Sequence, residues 1–423
     1  MCKRRNFIET VALTMLAPLP SIALARAAPD EDRLGRAAGY PVGVARNWYY
    51  DESVRVGSFS HQAEIPGLYN GGVNVLAPAS QPMILSTVPS EPDYRWHLPD
   101  ARGLGVDDFL ARQRIMGLMI VKDGVIQVER YQYERKAADR FTSQSMAKSI
   151  VALAVGMALQ EGRIASLDDP ASRYASGLAG CPLGETTLRN LLRMASGIQY
   201  EQRYDRAGDP AAFGELIARQ GCEVAVRWIV RRALPQGARF SYASPHTVTL
   251  ALVMRGATGM NLSTYLGGRL WPAIGAQRSA LWRADKTGLE VALGNFNATM
   301  ADYARLGVVL ANDGRRPDRP GAPAVIAPEF LIEATDWKKS PAPFRPGQAT
   351  PTLGYGYQYW TLPGEHRRFA MIGVYGQSLF VDPGRRLVIV QTGANATADA
   401  GGTSLARERD AFWRGVVGYY GAW

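Results

Sequence analysis

The segment Ser145-Met146-Ala147-Lys148 places a hydroxyl and an amine three residues apart, a spacing that puts both on one face of a helix. A serine hydroxyl is a weak nucleophile until a base takes its proton. A desolvated lysine can be that base, because burial favours its neutral form. An S-x-x-K pattern alone is weak evidence, since a chain of this length should contain about one by chance. Its setting adds weight. From Ser145 to Gln160 the text is apolar on most sides, and a lysine at the head of such a helix is not an ordinary surface residue.

Two further segments offer complementary groups. Tyr242-Ala243-Ser244 precedes a helical run starting at Thr247, so Tyr242 and Ser244 can project polar heads into a cleft. A buried tyrosine followed by a helix-capping serine fits the same text. In Ile372-Gly373-Val374-Tyr375-Gly376-Gln377 a strand turns into the next, and glycine inside a strand often marks a close approach of ligand to backbone. The amides of Ser145 and Val374 would then be able to form an oxyanion hole. Read by itself, the segment is simply a hairpin.

The surrounding elements must bring these segments together. Gly117–Val121 and Val125–Arg130 are apolar, β-branched runs joined at Asp123-Gly124, a strong hairpin signal. Residues 161–284 read as helices with Gly and Pro punctuation and no strand pairs. After a helix over Met300–Asn312, strands return at Tyr355–Thr361, Arg368–Val374, Ser378–Val381 and Arg386–Gln391, followed by a closing helix, Ser404–Tyr420. The simplest architecture is an α+β fold, with an antiparallel sheet built from both chain ends, flanked by helices, and an all-α lobe inserted. The expected division is an export signal (1–27), an N-terminal arm (28–104), a sheet domain (105–160 and 285–423) and the helical lobe (161–284).

Composition bounds the remaining possibilities. The 423 residues are 47% hydrophobic and 20% charged, enough to bury a large core. Lys3-Arg4-Arg5, the apolar run Val11–Leu24 and small residues near Ala27 read as an export signal, and Arg4-Arg5 resembles a twin-arginine signal. A periplasmic or secreted protein is expected, with no membrane-spanning segment in the mature chain. The net charge of +10 is scattered and arginine-dominated, which argues against nucleic acid as a partner. Cys181 and Cys222 would be able to pair in an oxidising compartment or remain two buried thiols. The four histidines, His61, His97, His246 and His366, lack metal-ligand spacing, and no Gly-x-Ser-x-Gly elbow, Walker loop or dinucleotide fingerprint occurs. Neither a metal nor another cofactor is indicated, and His246 reads as a satisfied or exposed histidine.

Ser145-x-x-Lys148, Tyr242-x-Ser244 and the Gly373 strand stand in the order and approximate spacing of the three motifs of class C serine β-lactamases, D-alanyl-D-alanine carboxypeptidases and related esterases. The connectors Leu167-Asp168-Asp169-Pro170, Thr187 to Gly197 and Ala301 to Gly307 agree. The resemblance covers roughly residues 105–420. Within that superfamily, Tyr200-Glu201-Gln202-Arg203-Tyr204, Gly373 to Gln377, Phe380-Val381-Asp382-Pro383 and the arm residues Asn47-Trp48, Phe59-Ser60-His61 and Ile65-Pro66 are similar to the aminohexanoate-dimer (nylon oligomer) hydrolases. The resemblance implies Ser145, Lys148 and Tyr242 as catalytic groups, Ser145 and Val374 as oxyanion donors, and Tyr204 as a contact to a substrate amide.

Two departures narrow the substrate. The third motif has Met371 and Ile372 where β-lactamases and carboxypeptidases carry a Lys or His that binds a carboxylate. The loop after Tyr204 does not reproduce the acids by which nylon oligomer hydrolases recognise an amine, although Asp205 and Asp209 are near. The leading expectation is a serine hydrolase cleaving a small ester or amide through a Ser145 acyl-enzyme. A D,D-peptidase or weak β-lactamase is the alternative, and a non-catalytic binding protein on the same fold is a third reading.

Overall fold

The computed structural model describes residues 28–398 and 404–423. The proposed export signal lies outside them. Among the described residues no helix is long and apolar enough to cross a membrane.

An eight-stranded sheet runs in the order Ser86–Thr87, Val125–Tyr131, Ile115–Lys122, Leu387–Gly393, Gln377–Asp382, Phe369–Gly373, Trp360–Thr361 and Gly354–Tyr355. Every pairing is antiparallel except that of Ser86–Thr87 with Val125–Tyr131. Ile115–Lys122 pairs with Leu387–Gly393, so early and late parts of the chain meet at the sheet centre, as the spacing of the apolar runs predicts. Asp123 and Gly124 both have positive φ, 52° and 79°, the backbone that the Asp-Gly signal requires for a tight hairpin.

Both faces of the sheet are covered, and this explains why its central strands are apolar throughout rather than alternating. Leu118, Ile120, Phe380, Leu387 and Ile389 pack with Phe109 of the helix Val106–Arg112 and with Phe412, Trp413 and Val416 of Ser404–Tyr419. Their strand neighbours Met119, Val121, Leu379, Val388 and Val390 point the other way, into a core shared with Leu306 and Val309 of Met300–Ala311 and with Ile150 and Val151 of Met146–Gln160. The two-residue side-chain period thus sorts one apolar run between two layers.

The helical lobe holds Leu188–Leu192, Asp209–Gln220, Cys222–Arg227 and Pro245–Thr258, with Leu262–Gly267 and Leu270–Ala273 following. Cys181 and Cys222 are buried there as free thiols. Three segments differ from expectation. Ala280–Asp285, within the stretch read as helical, is a strand, and the arm supplies its partner, Asn70–Leu76. Together with Phe296–Ala298 and Phe141–Thr142 these form a second, four-stranded antiparallel sheet. Asn70–Leu76 is too polar and glycine-rich to show strand periodicity, so only its partner reveals it. The expected single strand Tyr355–Thr361 is instead two short strands around a turn in which Gln358 has φ 61°. The buried Gln358 amide donates to the Leu191 and Leu192 carbonyls and accepts from Thr247, long-range bonds that hold the turn.

One buried charge pair stands inside the main sheet. Arg368 and Asp382 are both fully buried and joined at 2.6 Å, and the Arg368 guanidinium lies 4.4 Å from the Trp423 ring centroid. Removing one partner of such a pair leaves an uncompensated buried charge. Asp382→Ala is therefore expected to lower unfolding free energy by about 3–5 kcal/mol in a urea titration. A loss under about 1 kcal/mol would show that the pair is solvated or locally replaceable.

Candidate active site

The segment that carries Ser145 is fixed from both sides. Phe141–Thr142 pairs with Phe296–Ala298, and the Ser143 amide continues that contact by donating to the Phe296 carbonyl at 2.7 Å. On the other side, a Cβ added to Gly373 would come 2.6 Å from the Ser143 carbonyl oxygen and 3.0 Å from the Ser145 nitrogen. Only a residue without a side chain lets the Phe369–Gly373 strand end so close to the nucleophile turn. Between these supports Gln144 is held at φ 43°, a left-handed conformation disfavoured for a side-chain-bearing residue, and Ser145 follows at the head of Met146–Gln160.

Lys148 lies one turn along. Its Nζ donates to Ser145 Oγ at 3.0 Å and to the Leu293 carbonyl. The side chain is 1% exposed, and burial alone pushes its pKa down to about 7. With no carboxylate to hold the proton, the neutral amine is readily populated at neutral pH.

Tyr242 completes the cluster from the loop before Pro245–Thr258. Its ring stacks on Trp360 with centroids 5.7 Å apart, meets Tyr355 edge-on at 6.0 Å, and lies 5.5 Å from Lys148 Nζ. Burial, with smaller contributions from Tyr204 and Tyr355, holds its hydroxyl pKa well above the usual phenol value, against the opposing hydrogen bond with Ser145. It therefore remains a phenol with a proton to give. Ser244 occupies the N-cap position without a capping side-chain bond; it lines the cleft, and its amide donates to Gln202 at 2.9 Å.

Ser145, Tyr204, Ser244 and Val374 border one cleft of about 670 Å³. A small niche that shares Ser145, Tyr204 and Val374 with the cleft is bounded also by Tyr242, Trp360, Ile372 and Gly373. Tyr204 is hydrogen-bonded to Gln202, and burial raises its pKa. Val374 begins the turn between Phe369–Gly373 and Gln377–Asp382. The buried Gln377 amide braces that turn, donating to the Val374, Tyr375 and Gly393 carbonyls. Tyr375 sits there at φ 63°, packed against Tyr49 and Phe59 of the arm, with the Arg55 guanidinium 4.3 Å from its ring centroid.

His246 is the satisfied histidine of the two readings. It is 1% exposed, contacts the Ala243 carbonyl through Nδ1 at 2.8 Å and Ser196 Oγ through Nε2 at 2.6 Å, and burial lowers its pKa to about 4. It fastens the backbone next to Tyr242 without entering the cleft lining.

Several site residues carry no sequence signal. Leu293 acts through its carbonyl, for which any residue type would serve. Trp48, Tyr49 and Tyr50 of the arm line the cleft, and Tyr355 and Trp360 box in Tyr242. The arm's many aromatics hinted at packing but not at a cleft. Asn295, another lining residue, sits at φ 67° and joins a buried amide chain in which Gln62 donates to Asn295 at 2.6 Å and Asn297 donates to Gln62 at 3.0 Å.

Known proteins show the same arrangement of chain. A 6-aminohexanoate-dimer hydrolase of Paenarthrobacter ureafaciens is 25% identical over 330 residues, covering 72% of this chain and 78% of that one. A Bacillus anthracis structure provisionally assigned as a 6-aminohexanoate-dimer hydrolase superposes with a TM-score of 0.75 at 22% identity, covering 89% of this chain and 96% of its own. A penicillin-binding-protein homologue of Caulobacter crescentus gives a TM-score of 0.54 at 15% identity, covering 71% and 91%. The Beta-lactamase family matches residues 106–404, a span holding all three motifs. This chain therefore belongs to the Beta-lactamase family and has the serine hydrolase fold of β-lactamases and penicillin-binding proteins.

Proposed function

We propose that the protein hydrolyses a small ester or amide by a two-step acyl transfer on Ser145. The observation that carries this reading is the contact of the buried Lys148 amine with Ser145 Oγ at 3.0 Å, in a site where burial brings the lysine pKa to about 7. Neutral Lys148 takes the Ser145 proton as Oγ attacks the carbonyl carbon. The amides of Ser145 and Val374 receive the developing oxyanion, and collapse of the tetrahedral intermediate breaks the bond to the leaving group. Tyr242 gives that group its proton and regains one from the Lys148 ammonium. Water then repeats the sequence on the acyl-enzyme, releasing the acid and restoring Ser145.

The departures in the third motif support an ester or small amide over a cell-wall peptide or β-lactam. Met371 is fully buried and Ile372 borders the niche, so these two positions of the third motif offer no cation to a β-lactam or D-Ala carboxylate. The 6-aminohexanoate-dimer hydrolase of Paenarthrobacter ureafaciens supports amide chemistry as within reach. Export to the periplasm or medium, through the N-terminal signal, remains part of this proposal.

The acyl-enzyme is tested directly. A short p-nitrophenyl ester should give a burst of p-nitrophenol, and a fluorophosphonate should label Ser145 in peptide maps. Ser145→Ala should lose both labelling and turnover, whereas full ester activity in that variant would overturn the assignment.

If neutral Lys148 is the base, kcat/KM for an uncharged ester rises with pH through about 7 and then levels, because the ammonium form below that pH has no lone pair. Lys148→Met should lose about 10²–10⁴ in turnover while retaining the fold. A flat profile from pH 5 to 9 in the wild type would remove Lys148 from the role.

Gly373→Ala tests the oxyanion donors, since the new methyl would come 2.6 Å from the Ser143 carbonyl oxygen and 3.0 Å from the Ser145 nitrogen, so the Ser145 turn or the strand end before Val374 must shift. A loss of about 10²–10³ in kcat with near-native circular dichroism is expected. Retention of wild-type kcat would place the oxyanion elsewhere.

Tyr242→Phe should impair anilide or amide cleavage more than p-nitrophenyl ester cleavage, because p-nitrophenolate departs without a proton. Equal losses on both would assign Tyr242 a positioning role.

A further inference from the structure

The cleft is not electrically neutral at its outer end. Arg46 of the arm and Arg206 of the loop after Tyr204 both line it and are exposed, and neither has an acidic partner among the described residues. Arg206 is held in place by the Tyr50 ring, whose centroid lies 4.4 Å from the guanidinium carbon.

The acids nearby are engaged. Asp205 pairs with Arg203 at 2.5 Å, Asp209 accepts from the Glu201 amide at 2.7 Å, and Glu215, the one acid of the lining, pairs with Arg219 at 2.5 Å. Two guanidiniums therefore face the cleft with their donor edges uncommitted, a geometry suited to a carboxylate.

Much of the rest of the lining is apolar or aromatic, including Trp48, Leu68, Ala211 and Ala212. A run of ring contacts connects Arg206 to the Val374 turn and bounds their separation from above. From Arg206 to Tyr50, Tyr50 to Tyr49 and Tyr49 to Tyr375 the steps are 4.4, 5.0 and 5.0 Å, and Tyr375 adjoins Val374. An acetyl group at Ser145 would leave most of the 670 Å³ cleft empty, whereas a medium aliphatic chain would fill more of it.

We propose that Arg46 and Arg206 select substrates in which an aliphatic chain joins the scissile ester or amide to a terminal carboxylate, as in half-esters and half-amides of aliphatic dicarboxylic acids. This rests on the Ser145 hydrolase reading and assigns its substrate class.

The test compares three p-nitrophenyl esters of matched chain at pH 7 and low salt: hexanoate, mono-adipate and 6-ammoniohexanoate. The adipate should exceed hexanoate in kcat/KM by about tenfold, the order expected from a charge-assisted contact, with the ammonium ester poorest. Added sodium chloride should compress that ratio, because the arginines are exposed and screened. In Arg46→Gln/Arg206→Gln the adipate-to-hexanoate ratio should fall towards one, and Arg206→Glu should turn the preference towards the ammonium ester. A wild-type ratio of one or less, or a ratio unchanged in both variants, overturns the proposal. Hexanoate turnover separates the two readings: its absence from the wild type would defeat the Ser145 hydrolase reading itself, while its presence with no charge preference would defeat only the assignment to Arg46 and Arg206.

Discussion

Everything in the site depends on keeping one amine dry beside one hydroxyl. Lys148 is buried at the head of a helix whose residues from Met146 to Ala158 are all buried, and among the described residues its nitrogen is satisfied by Ser145 Oγ and the Leu293 carbonyl. A carboxylate at that position would hold the proton and raise the lysine pKa. A neutral carbonyl gives the nitrogen a partner without doing so, and burial does the rest. The surrounding apolar layers therefore act on the chemistry as well as on stability, because they exclude the water that would keep Lys148 charged.

The site is also a junction between chain segments far apart in sequence. Phe141–Thr142 ties Ser145 to the small sheet, whose outer strand, Asn70–Leu76, belongs to the arm. The Gly373 end of the main sheet meets the same turn from the opposite side. Arg55 strengthens this connection, donating to the Asn395 carbonyl at 2.7 Å and to the Tyr50 carbonyl at 3.1 Å while facing Tyr375. The arm is thus part of the cleft wall and of the support for the turn that carries Val374.

Some of the side-chain-bearing residues with left-handed backbone lie around this junction. Gln144, Asn295 and Tyr375 all have positive φ, and all flank the nucleophile, its lysine's carbonyl partner or the Val374 turn. Such conformations cost of order 1–3 kcal/mol each and persist only where the surroundings over-determine them. Here the supports are identifiable: Gly373 packed against the Ser143–Ser145 backbone, the Gln62–Asn295–Asn297 amide chain, and Gln377 with the Tyr49 and Phe59 rings.

How much of this was legible beforehand varied with the range of the interaction that determines it. Ser145 and Lys148 lie one helical turn apart, the apolar helix behind them has its own periodicity, and Asp123-Gly124 selects its hairpin locally, so the nucleophile, its neighbour and the paired central strands were readable from the sequence. Tyr242, Ser244 and Gly373 were readable only as members of an ordered set, since each taken singly has an ordinary structural explanation. Asn70–Leu76 was not readable, because a polar, glycine-rich strand derives its conformation from a partner more than two hundred positions away. Nor was the Gln358 turn, whose bonds run to Leu191, Leu192 and Thr247. The sequence by itself determined the Ser145–Lys148 contact and the layered fold, both of which follow from local spacing and hydrophobic period. Only the tertiary structure decided that a Leu293 carbonyl faces the lysine, that arm aromatics wall the cleft, and that Arg46 and Arg206 stand uncommitted at its outer end. Those features depend on which distant surfaces meet and which charges are already paired, and no local pattern records either.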